Sequence, residues 1–222
     1  MTTCSELLYV ELGVSSIRTL LLIKQWKFWK KVSELSDGEP LAYIVSLSKR
    51  LKLKEVKHYE TLINKYTNVD EIVSAFNDNV KSSIRNKSEK GRSKYSTYIT
   101  INPNLEAPSV YTSIRGHKNA SMVAKLRTSS HNLQIEMGRR TSTPRENRKC
   151  YCGDVEDEKH FLTQCTMYEH IRRKHHVTTK NISTILEDNK YLQYIQDLYD
   201  ARKDLTTCTG VSNATFAATK EI

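Results

Sequence analysis

Residues 148–173 of this 222-residue chain (RKCYCGDVEDEKHFLTQCTMYEHIRR) contain three of its five cysteines and a histidine. One residue separates Cys150 from Cys152, seven separate Cys152 from His160, and four separate His160 from Cys165. Three thiolates and an imidazole are the donors of a closed, tetrahedral Cys3His zinc site, which is structural because no coordination position stays open. The cysteine pair requires a tight knuckle, and Gly153 supplies the backbone freedom for it. His160 and Cys165 then have to come from the two ends of a short helical run, residues 158–165. Ordinary buried thiols are the alternative, because a single intervening residue makes C-x-C a more strained chelate than C-x-x-C. His170, His175 and His176 offer substitute ligands, but they read better as residues of a basic, solvated helix.

Glu156, Asp157 and Glu158 immediately precede His160. Paired carboxylates can perform acid–base chemistry. At the start of a helix, however, acidic residues serve the dipole, and one of them could orient the histidine. We therefore expect no catalysis from them. Phe161 and Leu162 form the apolar side that packs the knuckle.

Lys and Arg number 35 against 25 Asp and Glu, giving a formal charge of +10 and a pI near 9.3. That balance favours polyanionic partners. The cations gather around the cysteine cluster. Arg139, Arg140, Arg145, Arg148 and Lys149 form an arm before it, and Arg172 and Arg173 follow it. Thr141, Ser142 and Pro144 should keep the arm irregular. Such an arm can track phosphates without reading bases, and Tyr151, between the first two cysteines, is placed to stack on a base. A solvated linker is the alternative.

The elements that must position these groups read as mainly α-helical. Residues 16–35 form an amphipathic pattern with Leu22, Trp26, Trp29 and Val32 on one stripe, which predicts a buried face rather than a base-stacking one. A turn at residues 36–40 precedes helices over 41–54 and 56–66. Asn68 and Glu71 have capping-box spacing and open a fourth helix reaching about residue 86. Four such helices can bury their stripes as a bundle-like N-terminal unit. Residues 81–94 read as a frayed helix end and an exposed basic linker. Residues 95–101 alternate and are rich in Tyr, Thr and Ile, which predicts a short strand. A helix over 117–133 turns Met122, Val123, Leu126 and Leu133 inward, and His131 caps or packs. Residues 181–202 are helical, and 206–222 are small, polar and expected to be disordered. The organisation expected is a helical region (1–90), a linker with short strand, helix and basic arm (91–145), a zinc-knuckle module (146–176) and a helix with tail (177–222).

Some classes are disfavoured. The apolar run at residues 17–23 falls far short of the ~20 residues of a spanning helix, and the first eleven residues lack a secretory pattern. An odd number of cysteines clustered with histidine suits a reducing intracellular compartment, nuclear or cytoplasmic.

Residues 110–173 resemble the C-terminal tail of the reverse transcriptases of non-LTR (LINE-type, jockey-like) retrotransposons. The pattern K-L-R-x-x-x-H-x-L-x-I-E-x-G-R is matched by Lys125, Leu126, Arg127, His131, Leu133, Ile135, Glu136, Gly138 and Arg139. A Cys pair, E-D-E-x-H-F-L and a last Cys follow, as Cys150, Cys152, Glu156–Leu162 and Cys165. Tyr168 and Arg172 fit the continuation, and Glu11-Leu12-Gly13 with Trp26, Phe28 and Trp29 is similar to the helical part that precedes that tail. The family often has two residues between the first cysteines, whereas here only Tyr151 stands there. The polymerase of that family needs paired aspartates for two metal ions, and this chain has no Asp-Asp pair and no Gly-rich phosphate loop. The resemblance thus implies a non-enzymatic remnant or descendant, with structural zinc, RNA or single-stranded DNA as partner, and association with a reverse-transcriptase complex. The alternatives are a structural or protein-interaction module and an eroded fragment without retained activity.

Overall fold

The computed structural model describes residues 4–36 and 38–208. The chain is mainly α-helical, as expected. Among the described residues, strand-like pairing is confined to an isolated antiparallel bridge between Lys149 and Val155.

The first half is a set of packed helices: α1 (Ser5–Leu12), α2 (Ile17–Ser33), α3 (Pro40–Arg50), α4 (Lys54–Lys65), α5 (Val69–Glu89) and α6 (Ser93–Ile101). Ser16 caps α2 by accepting from the Thr19 N–H at 3.1 Å, and Pro40 opens α3 at its first turn, where its missing N–H costs nothing. Asp37, in the turn between them, lies outside the described residues. Asn68 accepts from the Glu71 N–H at 2.9 Å, as the capping box requires, while the Glu71 carboxylate reaches back to the Thr67 N–H rather than to that of Asn68. Trp26 is buried with Leu62 and Ile72, its indole N–H donating to the Tyr66 carbonyl. Trp29 stacks on Tyr59 with centroids 4.4 Å apart, so both tryptophans serve packing.

Two expectations change here. The segment 81–94 is not a frayed basic linker: α5 continues to Glu89, and only a short turn through Gly91 (φ 74°) precedes α6. Residues 95–101 form the body of α6 rather than a strand. The alternation of Tyr, Thr and Ile there conceals a second spacing. Tyr95, Tyr98 and Ile101 recur every third residue and are all buried, the two tyrosines against α1 and α5 and Ile101 in the C-terminal core. Packing of that stripe overrides the β-branched composition.

The second half comprises α7 (Val110–Ser113), α8 (His117–Arg127), α9 (Gln134–Arg140), α10 (Glu169–Lys174), α11 (Ile182–Glu187) and α12 (Leu192–Cys208). The helix expected over 117–133 stops at Arg127, because Ser129 takes a positive φ of 48°. One core runs through this half, from Val123, Leu126 and Leu133 through Phe161, Leu162 and Tyr168 to Ile185, Tyr194 and Leu198. Cys150 and Cys165 belong to it, so the knuckle is packed into a core shared by residues 101–135, 150–171 and 182–198. Of the tail expected to be disordered, residues 206–208 end α12 and the remainder lies outside the described residues.

A buried ion pair joins the halves. Arg127 of α8 and Glu11 of α1 are 0% and 1% exposed, with Nε and Oε1 2.6 Å apart. Tyr98 donates to the other Glu11 oxygen at 2.8 Å, and Tyr111 also donates to this carboxylate. Gly13, at φ 62°, ends α1 immediately afterwards. Removing one member of such a pair strands the other charge in an apolar interior, at a cost of about 3–5 kcal/mol. Arg127→Ala should therefore lower unfolding free energy by about that amount in denaturant titration, and Glu11→Gln combined with Arg127→Met should recover most of it. A loss below about 1 kcal/mol would mean the pair does not hold α1 in place.

Candidate metal centre

The knuckle is a narrow turn closed by backbone. The Cys150 N–H donates to the Asp154 carbonyl at 2.7 Å, and the Gly153 N–H donates to the Cys150 carbonyl at 2.9 Å. Gly153 takes φ 96° in open space, a conformation that disfavours any side chain. Both cysteines thereby face His160 and Cys165 on the following segment.

That segment is helical, but not α-helical. Residues His160–Gln164 form a π-turn, closed by the Cys165 N–H donating to the His160 carbonyl at 2.9 Å. In an α-helix five residues advance about 500°, leaving i and i+5 roughly 140° apart. The wider π-turn brings residues five apart closer to one side, and such turns recur at functional sites. Asp157 opens the turn by accepting from the His160 N–H at 2.9 Å. Sequence reading anticipated the helix but not the change of pitch that aligns its two ligands.

Cys150, Cys152, His160 and Cys165 converge so that their ligand atoms all lie within 4.8 Å of one another. The Sγ atoms of Cys150 and Cys165 are 3.6 Å apart, and Cys152 Sγ lies 3.2 Å from His160 Nε2. The cysteines are free thiols. One ion could touch all four groups, so the cluster could hold a metal ion. Its electrostatics without metal are those of shared protons. The hydrogen bond to Cys165, with burial, pushes the Cys150 thiol up to about 12. The same bond lowers Cys165, and hydrogen bonding to Cys150 raises His160. Metal would displace these protons.

The three carboxylates before His160 have structural tasks, and hydrogen bonds engage each of them away from the imidazole. Glu156 pairs with Arg202 of α12 at 2.7 Å and accepts from the Gln134 N–H at 2.7 Å. Asp157 caps the π-turn and pairs with Arg145. Glu158, 3% exposed, meets His131 Nε2 at 2.9 Å and the Ser129 hydroxyl at 2.6 Å. His131 Nδ1 accepts from the Leu133 N–H at 3.2 Å, so its proton sits on Nε2, towards Glu158. This is the capping and packing role expected for His131. Ser129 and Arg202 carry no sequence signal for these tasks, because their partners are 29 and 46 residues away.

The expected basic residues divide into two groups. Arg148 lies over Gly138, donating to the carbonyls of Thr143 and Ile135 at 2.8 and 3.1 Å. A Cβ at Gly138 would meet Arg148 Cδ and Nε at 2.6 and 2.7 Å, so only glycine fits there. Arg172 is buried against Glu169 and the Cys165 carbonyl. Arg139 is held by Glu136 and Ser93. These three guanidinium groups serve the fold. Arg140, Arg145, Lys149 and Arg173 are exposed, as is Tyr151. The arm is also less irregular than expected, since α9 contains Arg139 and Arg140.

No known family model, curated protein or solved structure matches this chain.

Burial alone would raise the pKa of Glu158, but hydrogen bonds from His131 and Ser129 overcome it and hold the carboxyl down to about 2, below its ordinary 4.5. A depressed carboxylate stabilises the fold above its unfolded pKa and loses that contribution as pH falls through its folded pKa. The difference in unfolding free energy between wild type and Glu158→Gln should thus be full above about pH 4.5 and shrink towards about pH 2. A difference that stays constant across that window would mean Glu158 is not held ionised.

Proposed function

We propose that this chain is a zinc-stabilised helical module that binds RNA or single-stranded DNA through exposed cations around its knuckle. The carrying observation is the Cys3His cluster itself, with its buried protein side and its exposed basic rim. For zinc bound tetrahedrally at ~2.3 Å to sulfur and ~2.05 Å to nitrogen, two sulfurs stand about 3.8 Å apart and a sulfur and nitrogen about 3.6 Å. The 3.6 Å between Cys150 and Cys165 and the 3.2 Å between Cys152 and His160 approach these values. With all four positions filled by protein, the zinc has a structural role.

Arg140, Arg145, Lys149 and Arg173 supply the rim. The pairs Arg145–Asp157 and Arg173–Glu169 are at the surface, with arginine side chains 59% and 79% exposed. Exposed pairs of this kind contribute at most about 1 kcal/mol and yield readily to phosphate. Tyr151, 44% exposed between two ligands, offers a ring for a base. The similarity to a non-LTR reverse-transcriptase tail supports the same reading, with the chain as a remnant or descendant of that region acting on nucleic acid without a polymerase centre.

A protein-interaction role is the second reading, and one observation favours it. No residue of α3 is buried; Leu41, Tyr43, Ile44 and Leu47 are exposed along it, as is Leu51 at its C-cap. An apolar stripe of that kind is a common mark of protein contact.

Elemental analysis of purified chain should give about one zinc per molecule, and Cys165→Ser should lose it together with thermal stability. A folded, reduced chain without zinc would overturn the metal assignment. Binding of an oligonucleotide, followed by anisotropy, should weaken steeply with salt. Arg145→Gln with Lys149→Gln should reduce the slope of log affinity against log salt by about 1.4, two single-strand phosphate contacts at ~0.7 each. Flat or undetectable binding at low salt would favour the interaction reading.

A further inference from the structure

On the other side of the segment that carries the ligands lies a cleft of about 660 Å³ between α8, α12 and the loop at His131 and Asn132. It falls within the range of sites that enclose a small ligand. Met122 and Tyr199 are among the residues that line it. The Tyr199 ring is fixed from behind by an edge contact with Phe161, their centroids 5.3 Å apart.

The charges around the cleft are unequal. Lys118 and Lys125, one on each side of Met122 along α8, are exposed, and no carboxylate pairs with them among the described residues. Asp200 is the one carboxylate of the lining. The polar groups at the back are already engaged, Arg202 by Glu156 and His131 by Glu158. The net field is therefore positive at the rim, beside Met122 and the aromatic ring of Tyr199.

We infer that this cleft holds one nucleotide of a bound single strand, with the base over Met122 and Tyr199 and the flanking phosphates on Lys118 and Lys125. The inference rests on the nucleic-acid reading above and adds a second contact region to it. A flat apolar body with attached negative charge is the ligand shape these walls complement. Every base has a face that can stack, so the cleft is tolerant of sequence. Two ammonium groups about two turns apart on one helix face are suited to following a backbone as point charges.

The chain's methionines report on the two regions separately. Met122 lines the cleft, Met137 lies beside Arg140 of the arm, and Met167 is close in sequence to the ligand Cys165. With methyl-labelled methionine, titration of the zinc-loaded full chain with an oligothymidylate of about 12 nucleotides, within the span of a single-strand site, should shift Met122 along with Met137 or Met167. Lys118→Gln with Lys125→Gln should weaken binding about tenfold at ~0.1 M salt, reduce the salt slope by about 1.4 and abolish the Met122 shift while Met137 or Met167 still responds. Asp200→Asn should act oppositely and tighten binding. Shifts at Met137 or Met167 with Met122 silent would overturn the cleft and leave the knuckle reading intact. Absence of any binding at low salt would overturn both.

Discussion

A carboxylate in an apolar interior must find a cation or a set of donors, or it unfolds what surrounds it. Four carboxylates are buried among the described residues. Beside Glu136, which pairs with Lys94, three tie distant segments of the fold together. Glu11 meets Arg127, Glu156 meets Arg202, and Glu158 meets His131. The first pair joins α1 to α8, the second joins the ligand segment to α12, and the third joins it to the loop after α8. Each is buttressed by further donors: tyrosine hydroxyls at Glu11, the Gln134 N–H at Glu156 and the Ser129 hydroxyl at Glu158. Hydrophobic burial supplies the bulk of the driving force, but it is non-directional. These pairs determine which segments lie side by side.

The candidate metal centre depends on that arrangement. Its knuckle is local, closed by hydrogen bonds within residues 150–154. The other two ligands lie on a π-turn whose approach is held by Glu156 and Glu158, with Asp157 as its cap. Arg172 then returns from α10 to the Cys165 carbonyl. A metal would thus be bound between a self-sufficient turn and a segment fastened to the core from both sides. Such preorganisation reduces the ordering that metal binding must otherwise impose.

The legible parts of the sequence were those whose information is local. The cap at Asn68, the stripe of Trp26, the C-x-C turn with Gly153 and the mainly helical character all follow from spacing within a few residues. So does the set of four ligands that could meet at one ion. What was misread depended on distant partners. Residues 95–101 look like a strand until Tyr95 and Tyr98 have α1 and α5 to pack against. Arg148 looks like a member of a basic arm until Gly138 and the Ile135 carbonyl are brought beneath it. Charge composition counts cations; it does not distinguish those already bonded to carbonyls and carboxylates. The same limit hides the cleft, whose lining comes from residues 117–132 and 196–203.

The cleft and the centre share a wall. Tyr199 packs on Phe161, the residue after the ligand His160, and Arg202 and His131 grip Glu156 and Glu158 just before it. Loosening the π-turn would release all three contacts together, since packed interiors shift between discrete arrangements rather than bend smoothly. A metal ion at the four ligands would therefore do more than stabilise the knuckle. It would also steady the segment against which Tyr199, Arg202 and His131 of the cleft are packed. The physical carrier is the short segment 156–161, which is common to both.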